Sequence, residues 1–369
     1  GSRQGRSRQG GAAAPAGFSG GGLHGKPTRG SKMLNKLSIE KFAMKETWKN
    51  KPRRALIFGV TGQDGQFLAH ALLCKGFQVL GTSRYTVSDN SFLIEELNKS
   101  EQLTTASLNL LNKHEIRSIL DDFEPEFVFN LSGITSVAKS ILYPVETFES
   151  IAVATQNILE AIRTTDREIS FLNTGSSECF GQSSQNEPHT EESRYCPESP
   201  YASAKVAAIY LTDTYRKFYG MSSYSAILSN HESILRKDNF VTKKVVSTLK
   251  KIADKKESFL TLGDLEVARD FGWAPDYVGA MCAIIESHCP DNYIVSTGQT
   301  NTLKMFVEKC CDFYGLNMEE CVRIDPTYFR PNEPREISLS PKKIADTLGW
   351  RASSSFDEIV TKLCTRQLF

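Results

Sequence analysis

The chain has 369 residues, 40% apolar and 24% charged, with a formal net charge of +1. It is long enough to bury a large core without disulfide or metal staples. It contains no apolar run of about 18 residues that would read as a membrane-spanning helix, and no apolar h-region of a secretory signal. The charge is unevenly distributed. Residues 1–54 hold thirteen Lys and Arg against Glu40 and Glu46, a local excess of +11, so the rest of the chain is net acidic by ten. An acidic body argues against a nucleic-acid binder. Residues 1–32, GSRQGRSRQGGAAAPAGFSGGGLHGKPTRGSK, are Gly-, Ala- and Arg-rich and have no periodicity. The expectation is a disordered leader over 1–50 whose first 32 residues are a cloning scar.

From about residue 53 strands alternate with helices. ALIF (55–58) reads as a short buried strand and 66–75 as a helix. FQVLGTS (77–83) is a second strand, NKHEIRSILDDF (112–123) a helix, and FVFNL (127–131) another buried strand. A long amphipathic helix is expected over 145–163, followed by strands at 170–174, 224–228 and 292–296. This alternation predicts an α/β fold with a doubly wound parallel sheet, whose ligands bind at the carboxyl ends of the strands. After about 228 the regularity weakens and loops gain Arg, Asn and Pro, as in PTYFRPNEPRE (326–336). The expected division is a Rossmann domain over 53–228 and a smaller, interleaved α/β substrate domain over 229–369.

GVTGQDG (59–65) follows the first strand and opens the first helix. Glycines allow the tight turn and let backbone N–H groups approach a pyrophosphate at the positive end of the helix. The candidate cofactor residues here are Gly59, Thr61, Gly62, Gln63, Asp64 and Gly65. Arg84 follows the second strand, where an acidic residue would hold the ribose hydroxyl of NAD. No Asp or Glu occupies 80–88, so the expected cofactor is NADP. Asn109 and Leu110 are candidates for the adenine edge. Leu131, Ser132 and Gly133 are candidates for the nicotinamide ribose.

SPYASAK (199–205) places Ser199 as an N-cap and Pro200 at the first helical position. Tyr201 and Lys205 then share a helix face. The ammonium is expected to lower the phenol's pKa and make it a base near neutral pH. The stretch TGSSECFG (174–181) adds Ser176 and Glu178 at the end of a buried strand. Glu178 reads either as a proton-transfer group or as a salt-bridged structural carboxylate. Nine cysteines with no C-x-x-C pair fit a reducing cytoplasm, with Cys74, Cys282 and Cys364 as small core residues. The six histidines form no metal-ligand spacing, so no metal is expected.

These motifs together resemble the extended short-chain dehydrogenase/reductase family, in which a Ser or Thr, a Tyr and a Lys form the catalytic set. GVTGQDG (59–65), SNHES (229–233), NFVTKK (239–244), RDFGWAPDYV (269–278) and FRPNE (329–333) look like GDP-mannose 4,6-dehydratases within it. The resemblance runs from about 54 to 366. It implies Ser176, Glu178, Tyr201 and Lys205 as catalytic residues, with Tyr201 and Lys205 also facing the cofactor. It implies His231 and Arg236 as NADP contacts, and Ser177, Asn230, Lys244, Arg269, Arg330 and Glu333 as substrate contacts. It implies a nucleotide-sugar substrate of the GDP-manno class, a hydro-lyase reaction and a homo-oligomer, either dimer or tetramer. An epimerase or 4-keto reductase of the same family, or a non-catalytic NADP-binding protein, is the alternative. Several positions depart from the family pattern: Ser176 stands for Thr, Ile234-Leu235 for Pro-Arg, Trp273 for His, Tyr85 for Arg and Asn109 for Asp.

Overall fold

The first strand, β1 (Arg54–Phe58), buries Ala55, Leu56, Ile57 and Phe58 completely. A strand covered on both faces by crossover helices needs such a continuous apolar run, and parallel sheets supply that covering. The computed structural model describes residues 52–84, Leu97, 100–183, 187–329 and 333–369. The expected leader (1–50), Tyr85 and Arg330 lie outside these described residues.

Around β1 a seven-stranded sheet is built from β2 (Gln78–Ser83), β3 (Leu103–Ser107), β4 (Phe127–Asn130), β5 (Ser170–Ser176), β6 (Ser223–Leu228) and β10 (Asn292–Val295). The order is β10-β6-β5-β4-β1-β2-β3, and every pairing is parallel. The chain winds outward in opposite directions from β1 and β4, so the switch point, and with it the ligand crevice, lies between them. This is the doubly wound α/β fold expected from the sequence.

The crossover helices include α1 (Gln63–Cys74), α2 (Lys113–Phe123), α3 (Ala154–Arg163), α4 (Pro200–Tyr219) and α5 (Ala274–Glu286). Two differ from expectation. α1 starts at Gln63, three residues earlier than read, because the helix begins inside the glycine turn. The segment expected as one helix over 145–163 breaks into a short helix Pro144–Phe148, a π-turn Glu149–Val153 and α3. The wide turn packs on the end of β4, where a Cβ on Gly133 would lie 2.8 Å from Ile151. α4 has the ends that its sequence specifies. Ser199 Oγ accepts from the Ala202 N–H, Pro200 sits in the first turn, and Gly220 closes the helix in the left-handed region.

A second layer follows β6. β7 (Asn230–Glu232), β9 (Ala268–Trp273), β11 (Thr300–Thr302) and β13 (Glu336–Ile337) form a four-stranded sheet, and β8 (Leu260–Leu262) pairs with β12 (Val322–Ile324). Phe271, Trp273, Phe306, Phe356 and Cys310 pack a separate apolar cluster beneath it. Cys282 and Cys364 are buried as expected, but Cys74 is exposed at the end of α1. No described helix is long and apolar enough to cross a membrane, and no described cluster of His, Cys, Asp and Glu could hold a metal ion.

Gly65 welds α1 to β1. A Cβ there would lie 2.4 Å from the Gly59 carbonyl oxygen and 2.6 Å from Val60 Cα. Backbone cannot yield as a side chain can, so Gly65→Ala should destabilise the protein by about 2–3 kcal/mol through overpacking. Gly62, with φ −72° and only the Gly59 oxygen within reach at 3.3 Å, is the control. Gly62→Ala should cost under about 1 kcal/mol. Urea unfolding of both variants checks this, and equal losses would contradict it.

Candidate active site

The glycine turn is closed by its own backbone. The Gly59 and Val60 N–H groups donate to the Thr82 carbonyl (2.9 and 3.1 Å), and Gly62 donates back to the Gly59 carbonyl (3.0 Å). Gly59 has φ +92°, and a Cβ there would meet the Leu131 carbonyl group at 2.9 Å, so only glycine fits beside β4. No side chain caps α1. The N–H groups of its first turn therefore lack a side-chain acceptor at the positive end of the helix, which suits a pyrophosphate. Thr61 is partly exposed and uses its carbonyl to accept from Gln66.

The side chains of Gln63 and Asp64 turn to β7. Gln63 Nε2 donates to the His231 carbonyl (3.1 Å), and Ser233 Oγ donates to Gln63 Oε1 (2.8 Å). Both oxygens of Asp64 lie 3.0 Å from His231 Nε2. His231 is thus joined to the turn through Asp64. Arg236 forms an ion pair with the buried Glu232 at 3.2 Å and stacks over Phe240.

Beyond the turn, Arg84 follows β2 half-exposed, and Glu146 pairs with it at 3.3 Å. Nothing in residues 80–88 announced this carboxylate, which comes from the helix at Pro144–Phe148. Asn109 is exposed, and its side-chain oxygen accepts from the Leu111 N–H. The Leu110 carbonyl accepts from Asn157. Leu131, Ser132 and Gly133 continue from β4 at the crevice. Ser132 Oγ donates to Asn130 Oδ1 (2.6 Å), and Asn130 in turn donates to Thr155 and Asn173. This buried amide network holds the crossing of β4, β5 and α3.

At the next strand end, Ser176 is the last residue of β5, and Glu178 sits in the 3₁₀ turn Ser177–Cys179 that follows it. Ser176 Oγ accepts from the Glu178 N–H (3.3 Å) and lies near enough to the Tyr201 phenol to favour its ionised form. Ser177 is buried. Tyr201 and Lys205 lie one turn apart on α4, also buried. The sequence reading of this pair needs one correction. Burial pushes the Tyr201 phenol above its ordinary range, and the nearby Ser176 hydroxyl only partly offsets this. Lys205 Nζ donates to the Thr174 carbonyl (2.7 Å), and burial pushes its pKa down to about 8. Desolvation outweighs the charge effect that spacing alone suggested.

Glu178 faces Arg269 on β9 at 3.7 Å, and Glu333 faces the same guanidinium at 3.7 Å. Both distances exceed a direct hydrogen bond. Arg269 Nη1 spends its strong bonds on the Ala268 and Pro334 carbonyls (2.9 Å each). Glu178 keeps about a fifth of its side chain open to solvent, whereas Arg269 is nearly sealed. Lys244 donates to the Thr261 carbonyl and stands over the Tyr328 ring, and Asn230 pairs with Phe271 in the strand register. Sequence reasoning missed Asp270. It is buried beside Arg269 and accepts from Ser229 Oγ, Tyr277 OH, Thr297 N and Gly298 N. Its signal was its place inside RDFGWAPDYV.

Comparison with known proteins identifies the family and the fold. The family model described as GDP-mannose 4,6 dehydratase matches residues 56–363. GDP-mannose 4,6 dehydratase 1 of Arabidopsis thaliana is 35% identical over 86% of this chain and 91% of its own. A dTDP-glucose 4,6-dehydratase from Streptomyces venezuelae, solved with NAD, has a TM-score of 0.76 at 19% identity, covering 85% of this chain and 96% of its own. RMD from Pseudomonas aeruginosa, solved with NADPH, has a TM-score of 0.71 at 21% identity, covering 85% and 98%. At those identities the two structures share the fold. With the family model spanning nearly all of the described fold, this chain belongs to the GDP-mannose 4,6-dehydratase family.

Proposed function

We propose that this protein removes water from GDP-mannose, or a GDP-manno-configured sugar, to give the 4-keto-6-deoxy product, with NADP as its cofactor. The observation that carries the reading is Glu178. It is a partly solvated carboxylate in the turn directly after Ser176, within the electrostatic reach of Tyr201 and held only loosely by Arg269. Elimination across C5–C6 needs one group that removes a proton from carbon and delivers one to a leaving hydroxyl, and a carboxyl group can do both in sequence.

The uncapped first turn of α1 and the glycine turn would hold the pyrophosphate, and Arg84 the 2′-phosphate. A nicotinamide bound there supplies the hydride acceptor for C4, the hydride donor for C6 and, when oxidised, a positive charge that favours phenolate. NAD in one structural relative and NADPH in another support a nicotinamide cofactor of either kind. Tyr201 Oη takes the O4 proton, while Ser176 orients that hydroxyl. Lys205, anchored on the Thr174 carbonyl, keeps a cation below the phenol. Glu178 then takes the C5 proton, which the new ketone acidifies, protonates the departing C6 hydroxyl and later returns a proton to C5.

Residues 53–228 carry the cofactor part of this scheme, and residues 229–369 carry the nucleotide sugar. Arg269, Lys244, Asn230, Glu333 and Arg330 are the substrate contacts, and guanidinium groups suit the diphosphate because they bind oxygens bidentately. α4 and the short helix packed against it expose Phe218 (81%) and Val145 (71%), and Leu142 is 71% exposed. A second copy of the chain would cover such apolar area, in a dimer or tetramer.

Two measurements test this reading. NADPH should bind tighter than NADH by calorimetry. Arg84→Ala should weaken NADPH selectively by about 1–2 kcal/mol, the lower end for a charge-assisted contact on a half-exposed residue. Equal affinity of the native protein for the two would remove NADP. Glu178→Gln should lower turnover by a factor on the order of 10²–10⁴ and accumulate reduced-nicotinamide absorbance after substrate addition, because oxidation at C4 does not need it. Tyr201→Phe should give no such absorbance. A folded Glu178→Gln protein with native turnover would leave Glu178 as a structural carboxylate and favour an epimerase or reductase.

A further inference from the structure

His231 is buried at the seam between the glycine turn and β7. Both of its ring nitrogens face oxygen. Nδ1 lies 2.7 Å from the Ser229 carbonyl, which can only accept, so this nitrogen must donate. Nε2 lies 3.0 Å from each oxygen of Asp64. An ionised carboxylate there requires a donor, and the ring then carries both protons as an imidazolium. Asp64 belongs to the first turn of α1, the turn whose backbone N–H groups have no side-chain cap. We propose that Asp64 is a positioning residue for the dinucleotide site: it holds His231 protonated and ties the phosphate-facing turn to β7, so that affinity for an anionic dinucleotide follows one buried proton. The inference rests on the nicotinamide reading above.

The surroundings define the charge balance. Burial opposes the charge on His231, and Asp64 more than offsets it, leaving the imidazole above its ordinary pKa; Arg236 works against it. Burial likewise opposes ionisation of Asp64, and the His231 charge outweighs it, leaving the carboxyl below its ordinary range. Tyr277 stacks on the ring at 4.8 Å and shares Ser229 with the buried Asp270. Burial pushes the Lys205 pKa down to about 8, and the Asp64 charge works against that shift. The sign follows. A raised histidine pKa means the imidazolium is present below the ordinary value near 6.5 and is lost as pH rises through the raised value. The lowered Asp64 value keeps the carboxylate ionised well into acid. Affinity for an anion should therefore be highest in the mildly acidic range and fall as pH rises through a value above 6.5.

NADPH binding followed by fluorescence from pH 5.5 to 9.5 tests this, with NADH in parallel because it lacks the titrating 2′-phosphate. Native protein should lose about tenfold in affinity for both, the worth of one charge-assisted contact, with a midpoint above 6.5. The midpoint should coincide with the titration of the His231 ring signal by NMR, which separates it from Lys205. In Asp64→Asn the midpoint should fall to 6.5 or below. In His231→Gln the histidine step should vanish, so this variant carries the test if Asp64→Asn does not fold by circular dichroism. Binding with no histidine step, or an Asp64→Asn profile that matches the native one, would overturn the inference and leave the cofactor reading standing. No binding of either dinucleotide at any pH would overturn both.

Discussion

A guanidinium sealed from water must find anions and carbonyls around it, and Arg269 organises one face of the second layer in meeting that demand. It gathers Glu178 from the end of β5, Glu333 from the loop before β13 and the Pro334 carbonyl around one buried cation. The next residue on β9, Asp270, engages a different set of groups, drawing Ser229, Tyr277, Thr297 and Gly298 to its carboxylate. Adjacent strand residues point to opposite faces. One strand therefore faces the Glu178 carboxylate on one side and holds the ends of β6 and β10 on the other. Burial holds the Asp270 carboxyl above its ordinary range despite four donors. The second layer is registered against the main sheet by buried polar groups as well as by apolar packing.

The same logic explains what the sequence revealed and what it hid. β1, β4 and β6 were legible because strands buried on both faces carry near-continuous apolar runs, here ALIF, FVF and AIL. α4 was legible because Ser199, Pro200 and Gly220 write both of its ends. β7, β11 and β13 were not, since NHE, TNT and EI are too short and polar to carry a period of two. Their pairing is decided by β9 and not by their own sequence. The broken helix over 144–163 was misread because its apolar spacing continues through the π-turn, and only the close approach of Gly133 demands the extra width.

The candidate site divides in the same way. Ser176, Tyr201 and Lys205 were found because side chains at fixed spacing leave a trace in sequence. The Thr174 carbonyl that anchors Lys205 leaves none, because every residue has a carbonyl. Glu146, the partner of Arg84, lies 62 residues away along the chain. Two departures from the family pattern also have visible consequences. Trp273, where a His is usual, is fully buried in the second core with its indole N–H unpaired and Lys362 over the ring. Asn109, where an Asp is usual, turns its side chain back onto the Leu111 N–H. Nothing in the structure explains Ile234-Leu235 in place of Pro-Arg.

The central claim is elimination of water with the cofactor regenerated in each cycle, and the most direct test is mass spectrometry of turnover in heavy water. Purified protein incubated with GDP-mannose and a catalytic amount of NADP in D₂O should give a product lighter by one water and carrying a carbon-bound deuterium at C5, with no net change in NADPH. A product of unchanged mass, or one formed only at the stoichiometric expense of NADPH, would contradict the account.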